Sequence, residues 1–368
     1  MATLALEAST SAAKAMLYDD EKGVLGVETE PYGDTIVSQG RIDADEAAET
    51  VLACGARLVQ RHPGILIEAI GLCSIWHGLL LLGEDGRPIS PVLTWEDKTA
   101  GETAASYRRD RALAFSLYKS TGCPVSATYD LWKWMHLKQT KDIAAVKHLS
   151  NLPGYLIYRL TGEGKISSTA ASGTGMMALE TLDWDEEALE LAGLERGMLP
   201  EITPPEHTCK LTTEAAKLLN TKTGIPVTVA SADGALNHMA AGGLGEKVMT
   251  LSVGTSGAVR YTVDRPLIPT KPSAFCYYGG EGMYILGAQA PGAGNCVKWL
   301  TKGLLCDTYD LDTLEKLAVG INREDAPYFM PFLFGRARRD GTIRNGADSW
   351  NSPACTARES SITRCWRA

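Results

Sequence analysis

The sequence predicts an α/β protein, and two observations carry the prediction. Strand and helix patterns alternate at the start of the chain: strands over Thr3 to Leu6 and Lys14 to Tyr18, an amphipathic helix over 43–62, then a buried apolar run from Ile65 to Ile75. Near the middle, Ile225 to Ser231 is a short, apolar, β-branched run with a proline near its start, the pattern of a strand covered on both faces. A helix rich in Ala and Gly opens directly after it, at Gly234-Ala235-Leu236. At 368 residues the chain is long enough for two domains with full cores.

The first two strands make a hairpin whose bend carries an acidic residue, Glu7, and three hydroxyls, Ser9, Thr10 and Ser11. In the 43–62 helix, Asp43 is placed to cap the N-terminus, and Ala47, Ala48, Val51, Leu52, Leu58 and Val59 share one face. Arg61 and His62 favour the negative end of its dipole. Leu79 to Leu82 and Ile89 to Trp95 flank an Asp85-Gly86 turn and predict a second hairpin. Residues 98–150 read as mostly helical, followed by a short helix that stops at Thr161-Gly162. The Ser/Thr/Ala/Gly stretch after it contains Ile166, Met176, Met177 and Leu179, which predict a packed hairpin rather than a linker, and a helix pair is expected over about 185–220.

Composition narrows the function. Hydrophobic residues at 45% and charged residues at 22% are those of a globular protein, and a net charge of −8 opposes general nucleic-acid binding, which needs a basic face. Nine cysteines are scattered with no C-x-x-C pair, as expected of reduced thiols in a cytoplasmic protein rather than a disulfide frame or zinc site. No run of 18 apolar residues and no basic leader point to a membrane or to secretion. A homo-oligomer is compatible with all of this.

Four stretches carry chemistry. Asp233 stands at a strand-to-helix corner, where ligands bind in open α/β sheets, and Gly254-Thr255-Ser256-Gly257 lies between two strand-like runs. Glycines flanking hydroxyl residues let backbone N–H groups and side-chain hydroxyls approach an anion closely. Taken singly, such a turn is a hairpin connection and such an aspartate a helix cap; together they suit phosphoryl transfer. Trp76-His77-Gly78 and Trp95-Glu96-Asp97 offer stacking surfaces and acceptors of the kind a polyol or sugar site needs, although each tryptophan also reads as a core residue and His77 as a satisfied polar neighbour.

The order of these motifs resembles the FGGY family of carbohydrate kinases. The likeness runs from residue 1 to about 335 through Leu4 to Tyr18, Trp76-His77-Gly78, Trp95-Glu96-Asp97, Tyr158 to Gly162, Asp233 with its helix, Gly254 to Gly257, and Pro331-Phe332-Leu333-Phe334-Gly335. The DGALNH and SVGTSGAVR segments are most similar to the gluconokinase branch, with xylulokinase next. The resemblance implies an actin-like (ribonuclease H-like) ATPase fold with two domains around a cleft, a sugar-binding and catalytic domain over 1–245 and an ATP-binding domain over 246–335. It implies ATP and Mg²⁺ as cofactors and a small sugar or sugar acid, gluconate first, as substrate. Asp233 would be the general base and would also touch the sugar. Glu7, Ser9, Thr10, Ser11, Gly254, Thr255, Ser256 and Gly257 would surround the nucleotide, with Glu7 holding Mg²⁺ through water. Trp76, His77, Trp95 and Asp97 would line the sugar pocket. The chain departs from the family pattern at Glu7, usually Asp, at Ser9, usually Gly, and at Leu131, usually Lys.

Residues 336–368 contain no Leu, Val, Met, Phe or Tyr but seven Arg and three acidic residues. Their charge is +4, so the whole-chain −8 leaves −12 on residues 1–335. Such a composition predicts a disordered or frameshifted tail and an incomplete second domain, with exposed apolar surface and weak nucleotide binding. The alternative reading of the chain is then a non-catalytic remnant that binds a sugar through its first domain.

Overall fold

A computed structural model describes residues 1–245, 248–254, 256–290 and 292–319, and the backbone of the paired strands Arg336–Ala337 and Ile343–Arg344. Thr255, the Pro331 to Gly335 motif and the rest of the tail lie outside the described residues. Two compact units are present: Met1–Val248 with Tyr261–Leu286, and Met249–Arg260 with the residues from Gly287 onward.

The first unit is built on a seven-stranded mixed sheet, ordered Thr208–Lys210, Pro226–Thr228, Ile67–Ser74, Ala2–Ala8, Ala12–Asp19 and Gly23–Pro31, with Ser231–Ala232 also pairing with Ile67–Ser74. The predicted hairpin is there, and Ala2–Ala8 pairs antiparallel with Ala12–Asp19 and parallel with Ile67–Ser74. The strand period of two sends Leu4, Leu6 and Ala8 to the core face. Helix Ala44–Arg61 covers that face with Ala47, Ala48, Val51, Leu52, Leu58 and Val59, all buried, and Asp43 caps it by accepting from the Glu46 N–H. Each fully buried Leu or Val contributes about 1.5–3 kcal/mol, so this one interface anchors the sheet. Helix Leu152–Thr161 adds Leu152, Leu156 and Leu160 to the same core and ends on Gly162, whose φ of 76° satisfies the left-handed cap.

Two local expectations are corrected, and a third holds. Ile225 to Ser231 is not one strand but two pieces, Pro226–Thr228 and Ser231–Ala232, because the backbone between them is used elsewhere. There the Val229 N–H donates to the His207 carbonyl, and the Ala230 carbonyl accepts from Ser167 Oγ. The Ser/Thr/Ala/Gly stretch is not a simple hairpin: Lys165–Ser167 pairs in parallel with Glu201–Thr203, Ser168–Ala171 is a buried helical turn, and only Met177–Ala178 with Asp183–Trp184 forms the hairpin. The helix pair is Glu186–Ala192 and Thr213–Leu218, with the strands Glu201–Thr203 and Thr208–Lys210 between them.

Helices Gly101–Tyr107, Arg111–Thr121 and Asp130–Thr140 build a second core of the first unit together with Trp76, Phe275 and Tyr277. The second unit holds the strand Met249–Val253, where Met249, Leu251 and Val253 alternate onto one exposed face at 66, 69 and 66%.

Candidate active site

The site starts from strand register. Glu7 lies beside Cys73, and Ala8 beside Ser74; on the other side of the same strand, Ser231 lies beside Cys73 and Ala232 beside Ser74. The carboxyl ends of three adjacent strands therefore coincide, and the chain leaves them as Ser9, Ile75 and Asp233. Alternation turns Glu7, Lys14 and Cys73 away from the Leu4–Leu6 core onto the opposite face. The Cys73 thiol is pushed far up, first by burial and then by the negative charges of Glu7 and Asp233, with Lys14 opposing. The Cys73 thiol therefore lies within electrostatic reach of both carboxylates and of the Lys14 ammonium.

Lys14 Nζ donates to both carboxylate oxygens of Glu7, at 3.2 and 3.1 Å, across the hairpin. In the bend, the Ser9 N–H and Oγ both donate to the Ala12 carbonyl, and the Ala12 N–H donates back to Ser9 Oγ. Ser9 thereby holds the turn closed. Thr10 Oγ1 accepts from Trp95 Nε1 at 3.2 Å, joining the predicted phosphate bend to the predicted sugar wall, while Ser11 is exposed. Asp233 is the first residue of helix Asp233–Ala240, and its Oδ1 accepts from the Gly234 N–H at 2.6 Å.

Trp76 and His77 are buried. Trp76 Nε1 donates to the Thr169 carbonyl at 2.8 Å, and His77 Nδ1 lies 2.6 Å from the Gly173 carbonyl. Tyr277 packs against both rings, with centroids 4.6 Å from Trp76 and 5.5 Å from His77, and its hydroxyl is 2.9 Å from that of Tyr129. Asp97 is also buried, and its carboxylate accepts from Arg41 Nε at 3.1 Å and from the Thr99 N–H and Oγ1. Burial pushes the Asp97 pKa up, but the Thr99 and Arg41 hydrogen bonds outweigh it and hold the carboxyl below its usual range. Arg41 also borders a cleft of about 640 Å³ lined by Ser38, Gln39, Asp43 and Pro88, which includes none of the predicted site residues.

In the second unit, the Gly254 N–H donates to the Ser256 carbonyl at 2.9 Å, so the turn is closed through its own backbone, and the Gly254 carbonyl accepts from the Gly294 N–H. Gly257 begins the next strand. The sequence reading missed Lys14, Tyr129, Tyr277 and Arg41. Hairpin arithmetic across the Ser9 to Ser11 bend could have paired Lys14 with Glu7; no local signal links Arg41 to Asp97.

Residues 2–240 match the N-terminal domain of the FGGY family of carbohydrate kinases. The chain belongs to that family. The FGGY chain is 26% identical to the gluconokinase of Bacillus subtilis over 349 residues, 90% of this chain and 67% of that one. Its fold superposes on a ligand-bound xylulose kinase from Lactobacillus acidophilus with a TM-score of 0.85 at 27% identity, covering 91% of this chain and 69% of that one. The gluconate kinase of the same organism gives a TM-score of 0.84 at 26% identity, with 91 and 70% covered. The FGGY chain thus has the actin-like α/β fold of these sugar kinases and spans about two thirds of their length. No helix among its described residues is long and apolar enough to cross a membrane.

Proposed function

We infer that the FGGY chain transfers the γ-phosphoryl group of ATP to a hydroxyl of a sugar acid, gluconate first, with Asp233 as the base. The observation that carries this reading is the shared strand-end row that gathers Glu7, Cys73 and Ser231 and delivers Asp233 two residues beyond it. In the reaction, the Asp233 carboxylate takes the proton of the attacking hydroxyl as its oxygen bonds to the γ-phosphorus and the bond to the departing ADP breaks. Alignment and charge neutralisation supply the rest of the rate. Thr10, held by Trp95, and Ser256, in a glycine-flanked turn, are hydroxyl donors suited to phosphate oxygens. Glu7 is a hard oxygen donor of the kind Mg²⁺ takes and would hold the ion through water, and the ion when bound would neutralise phosphate charge. The division of labour that follows gives residues 1–245 the sugar and the base and residues 246–335 the nucleotide, in a cytoplasmic enzyme.

A ketose substrate such as xylulose is the second reading, favoured by the TM-score of 0.85 to a xylulose kinase. ADP release coupled to NADH oxidation, measured with Mg-ATP and gluconate, xylulose, glycerol or fuculose, separates the substrates. Asp233→Asn should abolish turnover by about 10²–10⁴-fold, the usual contribution of a positioned base. Turnover that survives in Asp233→Asn removes Asp233 from this role, and no ADP release with any of the four sugars overturns the kinase reading of this chain.

A further inference from the structure

Glu163, His207 and Cys209 each offer one ligand atom, and those atoms all lie within 4.8 Å of one another. We propose that these three side chains bind a divalent transition-metal ion of the zinc class, at a site separate from the kinase residues.

The donor set is the first support. A thiolate, an imidazole and a carboxylate are ligands that zinc combines, typically with water in the fourth position of a tetrahedron. Bonds of about 2.0–2.3 Å put tetrahedral ligands about 3.3–3.8 Å apart, so closing the cluster around an ion needs side-chain movements of about one ångström. Three separate backbone anchors supply the second support. Glu163 follows Gly162, the left-handed cap of helix Leu152–Thr161, and its N–H donates to Thr161 Oγ1 at 3.2 Å. His207 closes a turn by donating its N–H to the Pro204 carbonyl, and its own carbonyl accepts from the Val229 N–H. Cys209 is the middle residue of the strand Thr208–Lys210, paired with Val227. The ligands are therefore presented by a helix end, a turn and a strand.

Access and charge also fit. Glu163 is exposed, His207 half-buried and Cys209 buried, so an ion enters from solvent and meets the sulfur at the floor. Lys165 is the nearby cation, 3.8 Å from Glu163, but it holds Glu201 at 2.8 Å, which draws its charge aside. Binding releases the Cys209 thiol proton to solvent as the sulfur lone pair forms the metal bond. The ion would tie the Thr208–Lys210 strand, the terminal strand of the main sheet order, to the turn that follows helix Leu152–Thr161.

The test is a Co²⁺ titration of the chelator-stripped full chain, read by absorption. The expected result is one equivalent bound with a thiolate-to-cobalt charge-transfer band and tetrahedral visible bands, displaced by Zn²⁺. Cys209→Ser should lose the charge-transfer band. His207→Ala, at a half-buried position whose backbone hydrogen bonds an alanine keeps, should weaken Co²⁺ binding by at least about tenfold. Cys306→Ser, which removes an exposed thiol, should leave the spectrum unchanged. No band in the unaltered chain, or a band that persists in Cys209→Ser or is equally tight in His207→Ala, overturns the proposal. Because the readout is spectroscopic, it stands or falls independently of kinase activity.

Discussion

Lys14 Nζ holds both carboxylate oxygens of Glu7, at 3.2 and 3.1 Å, at the mouth of the first hairpin. The pair is part-exposed, 42% for Lys14 and 27% for Glu7, so it adds at most about 1 kcal/mol to stability. In the proposed kinase its role is to aim a carboxylate. Glu7→Gln keeps the shape and removes the charge; it should lower kcat/KM for Mg-ATP by about 10–100-fold, as loss of an outer-sphere metal partner does, while Tm stays nearly constant. Unchanged kcat/KM across a Mg²⁺ titration would remove Glu7 from metal binding.

Trp95 Nε1 donates to Thr10 Oγ1, which joins the proposed sugar wall to the proposed phosphate bend. Trp95→Phe keeps a ring and deletes the bond, whose net worth is about 0.5–1.5 kcal/mol, a rate effect of about 2–10-fold. The expected signature is a matched rise in KM for sugar and for ATP. A change in only one of them would mean that the bond does not couple the two.

Asp97 makes a pH-dependent contribution. Its carboxyl is held below the ordinary value, so its stabilisation is present above the unfolded aspartate pKa of about 3.9 and is lost as pH falls through the lower folded value. Asp97→Asn should cost about 1–3 kcal/mol at pH 7, the range for charge-assisted hydrogen bonds. Thermal melts of the two proteins should converge below about pH 4. A gap that is constant with pH would place the cost in packing instead.

Gly173 is the contact point for the aromatic cluster: a Cβ there would stand 2.3 Å from Trp76 Cδ1 and 3.1 Å from His77 Cε1. Trp76 cannot simply swing aside, because its Nε1 is bonded to the Thr169 carbonyl. Gly173→Ala should therefore cost about 1–3 kcal/mol as overpacking and raise KM for the sugar more than for ATP. Equal effects on both constants would argue that the cluster is scaffold rather than sugar wall.

What could be read from the chain alone was local or ordered along it. Alternating periodicity placed Ala2–Ala8, Ala12–Asp19 and Ile67–Ser74 to within a few residues, and a capping aspartate placed the start of Ala44–Arg61. Motif order was enough to identify the family, because short motifs survive while the surrounding sequence diverges. Asp233 was visible because a strand-end carboxylate before a helix is a local pattern.

Tertiary structure decided what depends on distant pairing. The strand Ile225 to Ser231 broke in two because His207 and Ser167 claimed its backbone groups, and no periodicity encodes that competition. Arg41 reaches Asp97 across 56 residues, and Tyr129 meets Tyr277 across 148, so the surroundings of the predicted sugar wall were set by packing. The same is true of Glu163, His207 and Cys209: with no C-x-x-C spacing to mark them, a helix end, a turn and a strand had to fold together before they became neighbours. Sequence determines which chemistry a chain carries at its strand ends; register and core packing determine which of those groups meet, because side-chain distances are set by the whole sheet rather than by spacing along the chain.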